Sequence, residues 1–227
     1  MIGVFDSGMG GLFALSELRR LSDRIDIAFY ADRKNAPYGT KSEEELLSLV
    51  SRDIEKLSSF GAEKTLMACC TASTVYDKLT EAQRSIAVPI IEPIANEAAL
   101  KTKNGRVGIL STERTRRSGA FVKAISKKDA RIRTFSVSAG ELVALAESGK
   151  RDGNLEENDK KLIRKIISPI LNCGVDTLIL GCTHFAYFEE EIRNIFGVDT
   201  VNSASVAAEY MIKRIKNEGQ GKTVILE

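Results

Sequence analysis

Two short stretches of the sequence place a cysteine where an apolar run gives way to small, hydroxylated residues. They read LMACCTAS at 66–73 and LILGCTHF at 178–185, so Cys69 and Cys182 occupy equivalent places in them. Two thiols on opposite sides of one carbon atom could remove a proton from one face and deliver another to the opposite face. The pair therefore predicts inversion of a stereocentre by the protein's own side chains, without a cofactor or a metal.

Each of these thiols needs a neighbour that tunes it. A free cysteine has a pKa of about 8.5, so only a few per cent of it is thiolate at neutral pH. Asp6 is the candidate neighbour of Cys69, and His184, two residues past Cys182, is the candidate neighbour of the second thiol. The His184 side chain, in a turn after a strand, could also point away from the thiol.

The elements that must hold these residues alternate between short apolar strands and amphipathic helices, which is typical of a parallel sheet covered on both faces. Ser42 is expected to cap the clearest helix and Gly61 to end it, whereas Pro169 is expected to bend or break a later one. The predicted strands lie near residues 2–5, 26–30, 65–69, 88–91, 107–110, 131–137, 176–180 and 198–201.

The sequence also contains signs of an internal duplication. IGVFDSG at 2–8 aligns with VGILSTE at 107–113, an offset of 107 − 2 = 105, and Cys69 aligns with Cys182, an offset of 182 − 69 = 113. Two motifs in the same order at similar offsets predict two similar α/β domains. Ligands of open α/β sheets bind beyond the carboxyl ends of the strands. The polar turns of both aligned motifs, in each half of the chain, fall at such strand ends. If the domains face one another, both cysteines would line one cleft.

Composition excludes several classes of function. The 227 residues include 33 Lys and Arg against 31 Asp and Glu, so the net charge of +2 offers no strong field for nucleic acid. We expect no membrane partner, since eighteen apolar residues never run together, and a cytoplasmic location. The four cysteines are expected to be thiols, and His184 as the single histidine does not complete a typical zinc set.

Several of these features also have a purely structural interpretation. A cysteine at the end of a buried strand is often a small core residue, which is the interpretation we favour for Cys173. His184 taken alone could be a hydrogen-bonded structural histidine. The glycines after Asp6 do not make a dinucleotide fingerprint, because Phe13 stands where a glycine is required.

Five motifs in order resemble those of the glutamate racemases, which supply D-glutamate for peptidoglycan without a cofactor. They are IGVFDSGMGGL, NAPYGTKS, MACCTAS, VGILSTERTRRSGAF and LILGCTHF, spread from residue 2 to residue 185. Histidine after the second Cys-Thr favours the glutamate branch of the superfamily over aspartate racemase, which usually carries glutamate there.

The resemblance implies roles for individual residues. Cys69 would take the α-proton from D-glutamate and Cys182 from L-glutamate, with Asp6 and His184 assisting. The residues that match substrate-contacting positions are Ser7, Tyr38, Gly39, Thr71 and Thr183, and those that match a set of hydroxyl residues in the second domain are Thr112, Thr115 and Ser118.

The sequence departs from the family pattern at the substrate site. Cys70 stands where the family has an asparagine, and a thiol is a weak hydrogen-bond partner for a charged substrate. The loss would cost about 1.5–3 kcal/mol of binding or transition-state free energy. Ala139 and Gly140 replace a family Cys-Pro, although Glu147 remains in register. Alternatives to glutamate therefore stay open: another acidic amino acid such as aspartate, a decarboxylation on the same scaffold, or a catalytically weakened protein that binds a small carboxylate.

The resemblance also implies the domain organisation. Two flavodoxin-like α/β domains with parallel sheets, related by a pseudo-twofold axis, would enclose the active site between them. The first would comprise residues 1–92 with 203–227, and the second residues 93–202. Family members are often dimers, so a homodimer is expected.

Overall fold

The computed structural model describes residues 1–215 and 219–226 and is an α/β structure. Its strands are β1 (Ile2–Asp6), β2 (Ile27–Ala31), β3 (Lys64–Met67), β4 (Ala87–Val88), β5 (Arg106–Ser111), β6 (Arg133–Ser138), β7 (Thr177–Gly181), β8 (Asp199–Asn202) and β9 (Thr223–Leu226). Each of the eight predicted strands has a counterpart among β1–β8, with ends that differ by a few residues. Strand β9 was not predicted.

The helices connect these strands and cover the sheets. They are α1 (Gly11–Leu21), α2 (Glu43–Ser59), α3 (Cys70–Ser73), α4 (Glu81–Ile86), α5 (Ile91–Lys101), α6 (Glu113–Ser118), α7 (Ala120–Lys128), α8 (Gly140–Glu147), α9 (Glu157–Leu171), α10 (Glu189–Phe196) and α11 (Ser203–Ile212). Short 3-10 turns occur at Tyr38–Thr40 and Thr183–Phe188, among other places. In the described ranges, no helix combines the length and the hydrophobicity needed to cross a membrane.

The chain divides into two compact units. The first comprises Met1–Ile90 with Ala204–Glu227, and the second comprises Ile91–Ser203. Each unit contains its own sheet and its own cluster of buried apolar side chains.

The sheet of the first unit is parallel, with the strand order β4-β3-β1-β2-β9. All five residues of central strand β1 are buried, which is expected of a strand covered by helices on both faces. Strand β9 pairs with β2, where Ile27 lies opposite Thr223. The Asp26 carboxylate supports this pairing, because it accepts hydrogen bonds from the N–H groups of Gln220 and Lys222.

The sheet of the second unit is also parallel, in the order β6-β5-β7-β8. Read from its first strand, this is the same arrangement as β2-β1-β3-β4 in the first unit, and both follow the flavodoxin-like order. The prediction of two similar parallel α/β sheets is therefore confirmed. The physical signal was the recurrence of short, uniformly apolar strands followed by polar turns.

Helix α2 begins and ends where its sequence predicts. The Ser42 hydroxyl accepts a hydrogen bond from the Glu45 N–H, and the Glu45 carboxylate accepts one from the Ser42 N–H. This reciprocal pair is a capping box. Gly61, just after the helix, has φ +93°, a conformation that favours glycine.

The structure contradicts the break expected at Pro169 and the core position expected for Cys173. Pro169 does not break the helix, which continues to Leu171. The proline lies so near the end that little of the helix follows it. Cys173 is half-buried and is not a core residue; its thiol donates to the Pro169 carbonyl oxygen at 3.5 Å.

Candidate active site

The first group of candidate residues gathers at the carboxyl end of β1. Asp6 is the last residue of this strand, is fully buried, and accepts a hydrogen bond from the Gly8 N–H at 2.9 Å. Helix α1 starts at Gly11, where an added Cβ would lie only 2.4 Å from the Asp6 Cβ. A glycine at this position therefore lets the helix begin in close contact with the buried carboxylate.

Cys69 lies at the same edge of the sheet, because β3 pairs with β1 in parallel and places Met67 opposite Phe5. The cysteine precedes α3 and is 6% exposed. Its Sγ atom lies 3.6 Å from the Ser7 Oγ atom. The fold of the first unit thus brings Cys69 and Ser7 together beside the end of β1.

The surroundings of Cys69 favour its protonated form. Burial raises the pKa of the Cys69 thiol to about 11, and the negative charge of Asp6 adds to this effect. Hydrogen bonds from the Ala72 N–H, the Ser7 hydroxyl and the Thr71 N–H oppose the shift without cancelling it. At neutral pH this cysteine is therefore a thiol that is ready to donate a proton.

Cys70 and Thr71 begin α3 and are both buried, at 1% and 3% exposure. The side chain of Cys70 occupies a site with very little access to water. The asparagine that the resemblance implies at this position would therefore lie in a buried site.

The side chain of Tyr38 is buried, and its hydroxyl contacts two carboxyl groups of the protein. The side chain is 1% exposed, and its hydroxyl lies 2.7 Å from Asp32 Oδ2 and 2.6 Å from Asp53 Oδ2. The phenol is therefore engaged within the first unit, which leaves the backbone of the Tyr38–Thr40 turn, including Gly39, as its substrate-facing candidate. Sequence reasoning missed both aspartates, because nothing in their spacing relates them to Tyr38.

The second group of candidate residues lies after β7. Cys182 directly follows this strand and is 8% exposed, and its Sγ atom lies 3.6 Å from His184 Nδ1. His184 is 4% exposed, and its Nε2 atom lies 2.5 Å from Glu147 Oε1. Gly181 is required before the cysteine, since an added Cβ would lie 2.8 Å from the Leu110 carbonyl oxygen.

These contacts determine which atoms of the second site carry protons. A carboxylate can only accept, so the Nε2–H of His184 points to Glu147 and the other ring nitrogen faces the Cys182 sulfur with a lone pair. The imidazole can then accept the thiol proton, and the carboxylate stabilises the imidazolium that forms. The sequence indicates only that Glu147 keeps its register, whereas the structure gives its carboxylate a role through the contact with His184.

The remaining candidates of the second unit surround short helices. Thr112 caps α6 by accepting from the Thr115 N–H, and its hydroxyl lies 3.0 Å from that of Thr115. Ser118 is exposed and donates to the Thr115 carbonyl oxygen. Thr183 is buried directly after Cys182. Because β5 and β7 are neighbours, Thr112 and Cys182 follow adjacent strand ends.

The structure therefore contains two sites of similar construction, one in each unit. The described parts of the chain contain no cluster of three or more His, Cys, Asp or Glu side chains suited to holding a metal ion. Each site instead offers a buried thiol next to polar groups that can exchange or stabilise a proton.

Comparison with known proteins identifies the family. Residues 20–211 match the Asp/Glu/Hydantoin racemase family. The glutamate racemase of Desulforudis audaxviator is 35% identical over 215 residues, which make up 94% of this chain and 78% of that protein. That of Aquifex aeolicus is 33% identical over 224 residues, or 97% of this chain and 85% of the relative. The crystal structure of glutamate racemase isoform RacE1 from Bacillus anthracis has a TM-score of 0.88 and 29% identity, covering 99% of this chain and 86% of the other.

This chain belongs to the Asp/Glu/Hydantoin racemase family. More particularly, its relatives support an amino-acid racemase function, so the chain is an enzyme of the isomerase class. The resemblance drawn from the five sequence motifs is confirmed.

Proposed function

We propose that this enzyme interconverts L- and D-glutamate by two-base proton transfer between Cys69 and Cys182. The similarity to proteins named glutamate racemase supports glutamate as the substrate. The observation that carries the mechanism is the repeated placement of a buried thiol after equivalent strands, β3 and β7. The mechanism requires the two sulfurs to reach the α-carbon from opposite faces.

The contacts within each unit support different roles for the two thiols: for L-glutamate, Cys182 acts as the base and Cys69 as the acid. Starting from L-glutamate, His184 takes the proton of Cys182, and the resulting thiolate removes the α-proton. Cys69, which its surroundings keep protonated, then donates its proton to the other face of the carbanion. This half-reaction leaves Cys69 as a thiolate next to Asp6 and Ser7 and His184 as an imidazolium, the state that removes the α-proton of D-glutamate in the reverse direction. Loss of the His184 proton to solvent and uptake of one by Cys69 restore the starting state for the next L-glutamate.

Substrate binding is proposed to use the small polar groups around both cysteines. Backbone N–H groups and hydroxyls at the start of a helix favour carboxylate groups. The proposed substrate-binding residues are Ser7, Tyr38, Gly39, Cys70, Thr71, Thr112, Thr115, Ser118 and Thr183. For Tyr38 the contact is assigned to the backbone, because the hydroxyl is bonded to two carboxyl groups.

We further propose that the enzyme supplies D-glutamate for peptidoglycan and works in the cytoplasm as a homodimer. The mechanism needs no cofactor, since the two thiols supply both the base and the acid. Nucleic acid and membranes are not among the proposed partners. The near balance of 33 basic against 31 acidic residues supports the exclusion of nucleic acid.

The direct test is to incubate the enzyme with L-glutamate in D2O, following the α-proton by NMR and the optical activity by circular dichroism. We expect α-deuteration together with racemisation. Replacing Cys69 or Cys182 with serine should remove most racemisation, whereas Cys173→Ser, at a half-buried thiol outside both sites, should not. Full activity of C69S or C182S would refute the two-base assignment, and exchange on aspartate but not on glutamate would refute the substrate.

A further inference from the structure

The first unit contains two buried carboxyl groups that meet at one phenol. Asp32, which follows β2, is 1% exposed, and Asp53, on α2, is fully buried. The hydroxyl oxygen of Tyr38 lies 2.7 Å from an oxygen of Asp32 and 2.6 Å from an oxygen of Asp53. Both distances are those of good hydrogen bonds.

These distances require a second proton. A phenol has a single hydrogen and can donate it to only one of the two carboxyl groups. If both carboxyl groups were ionised, the phenol oxygen would face a second carboxylate oxygen at 2.6–2.7 Å without a hydrogen between them. A proton on one carboxyl group completes the bridge, because this group then donates to the phenol oxygen while the phenol donates to the other.

The surrounding charges decide which carboxyl group holds the proton. Asp32 accepts from both Tyr30 and Arg52, at 3.2 and 2.6 Å, and Asp53 accepts from Arg52 at 3.0 Å. Lys56 lies over the ring of Tyr30, 3.8 Å from its centre. Asp32 thus has the larger set of donors, which favours its ionised form.

The expected pKa values agree with this assignment. Burial raises the pKa of Asp53 to about 6, and the negative charge of Asp32 adds to this shift, whereas the hydrogen bond and the charge of Arg52 oppose it. Burial alone would also raise the pKa of Asp32. There, hydrogen bonds from Tyr38 and Asn35 and the charge of Arg52 outweigh burial, so the pKa is lowered.

We propose that Asp53 is a positioning residue for the Tyr38–Thr40 turn, and that the proton on its carboxyl group holds this turn in place. The turn starts at the bridging tyrosine, and its next residue is Gly39. The network lies at the strand ends that carry Asp6, because the Asp32 N–H donates to the Asp6 carbonyl oxygen at 2.9 Å. The effect on substrate binding rests on the proposed function, in which the Gly39 backbone contacts glutamate.

The direction of the pH effect follows from the raised pKa. Below a pH of about 6 the Asp53 carboxyl group holds its proton and the bridge is complete. As the pH rises through this value, Asp53 ionises and a second negative charge faces Tyr38 and Asp32. The turn then loses one of its hydrogen bonds, so KM should rise while kcat, which depends on the thiols, changes less.

Asparagine is the matched test residue, because its amide resembles the protonated carboxyl group. In the D53N variant the amide N–H can donate to the Tyr38 oxygen and the amide oxygen can accept from Arg52 at every pH. Glu55→Gln is the control, since it removes a carboxylate from the exposed face of the same helix. Circular dichroism checks that both variants fold.

Two measurements test the proposal. In NMR titrations of protein labelled with 13C in aspartate carboxyl groups and with 15N in glycine, one carboxyl group and the Gly39 amide should titrate together near pH 6. Both transitions should persist in E55Q and vanish in D53N. Between pH 5 and pH 8, KM for glutamate should rise several-fold more in wild type and E55Q than in D53N.

The outcomes separate this proposal from the proposed function. Absence of racemisation with intact NMR transitions that D53N abolishes would reject glutamate racemisation and support the positioning role. Racemisation without a Gly39 transition, or with the same transition in D53N, would overturn the positioning role. An identical KM profile in wild type and D53N would also overturn it.

Discussion

His184 Nε2 lies 2.5 Å from Glu147 Oε1, while His184 Nδ1 faces the Cys182 sulfur at 3.6 Å. Glu147 is the last residue of α8, and its side chain is 45% exposed, whereas that of His184 is only 5% exposed. A carboxylate that remains partly in water therefore contacts a buried imidazole. This arrangement fixes the ring orientation that directs a basic nitrogen to the thiol.

The contact predicts the effect of Glu147→Gln. Glutamine can still accept the Nε2–H but cannot stabilise the imidazolium by charge, so we expect kcat/KM to fall about ten- to a hundredfold. The two enantiomers are equal in free energy, so the fall must be the same in both directions. Initial rates from L- and D-glutamate, followed by circular dichroism, provide the measurement.

Glu141→Gln is the control for this variant, because Glu141 lies on the same helix and is exposed. It should leave kcat/KM unchanged. Wild-type rates in the Glu147→Gln variant would show that the imidazole works without its carboxylate partner.

The raised pKa of Cys69 predicts slow alkylation at neutral pH. Because burial and the Asp6 charge raise this pKa to about 11, the rate of labelling by iodoacetamide should keep increasing as the pH rises above 8. Asp6→Asn removes the negative charge and should speed the labelling of Cys69 at pH 8 while it slows racemisation. Mass spectrometry of the peptide that contains Cys69 follows the reaction, with the Cys173 peptide as internal reference.

The same shift has a consequence for stability. The folded state holds the Cys69 proton more tightly than the unfolded state. The protonated thiol therefore makes its full contribution to the free energy of unfolding below the ordinary thiol pKa of about 8.5, and this contribution is lost as the pH rises toward about 11.

The iodoacetamide experiment also tests the cause of the shift. Slower labelling of Cys69 in Asp6→Asn than in wild type would contradict the effect on the Cys69 pKa that is assigned to the Asp6 charge.

Cys70→Asn introduces, at a buried position of α3, the asparagine that the resemblance to glutamate racemases implies there. A hydrogen bond to a charged substrate group contributes about 1.5–3 kcal/mol, so we expect KM for glutamate to fall about ten- to a hundredfold. Cys70→Ala, which cannot form this bond, is the comparison variant. An unchanged or higher KM in Cys70→Asn would mean that the pocket suits a different acid, and aspartate would then be the first substrate to examine.

Much of the fold was predictable because its signals are local. Uniformly apolar runs such as that of β1, the capping box at Ser42 and the glycine at 61 each act through neighbouring residues. Strand β9 escaped prediction because its place depends on pairing with β2, far away in the sequence, and on contacts of Asp26 with the backbone at 220 and 222.

The sequence by itself determined that Cys69 and Cys182 follow strands, since an apolar run that ends in a small polar turn is a local pattern. Only the tertiary structure decided which side chains surround them, because such contacts join residues that are distant in the chain. Glu147 contacts His184 across 37 positions, and Tyr38 meets Asp53 across 15. Burial of these groups sets their pKa values and hydrogen bonds, and burial is a property of the packed chain rather than of any single segment.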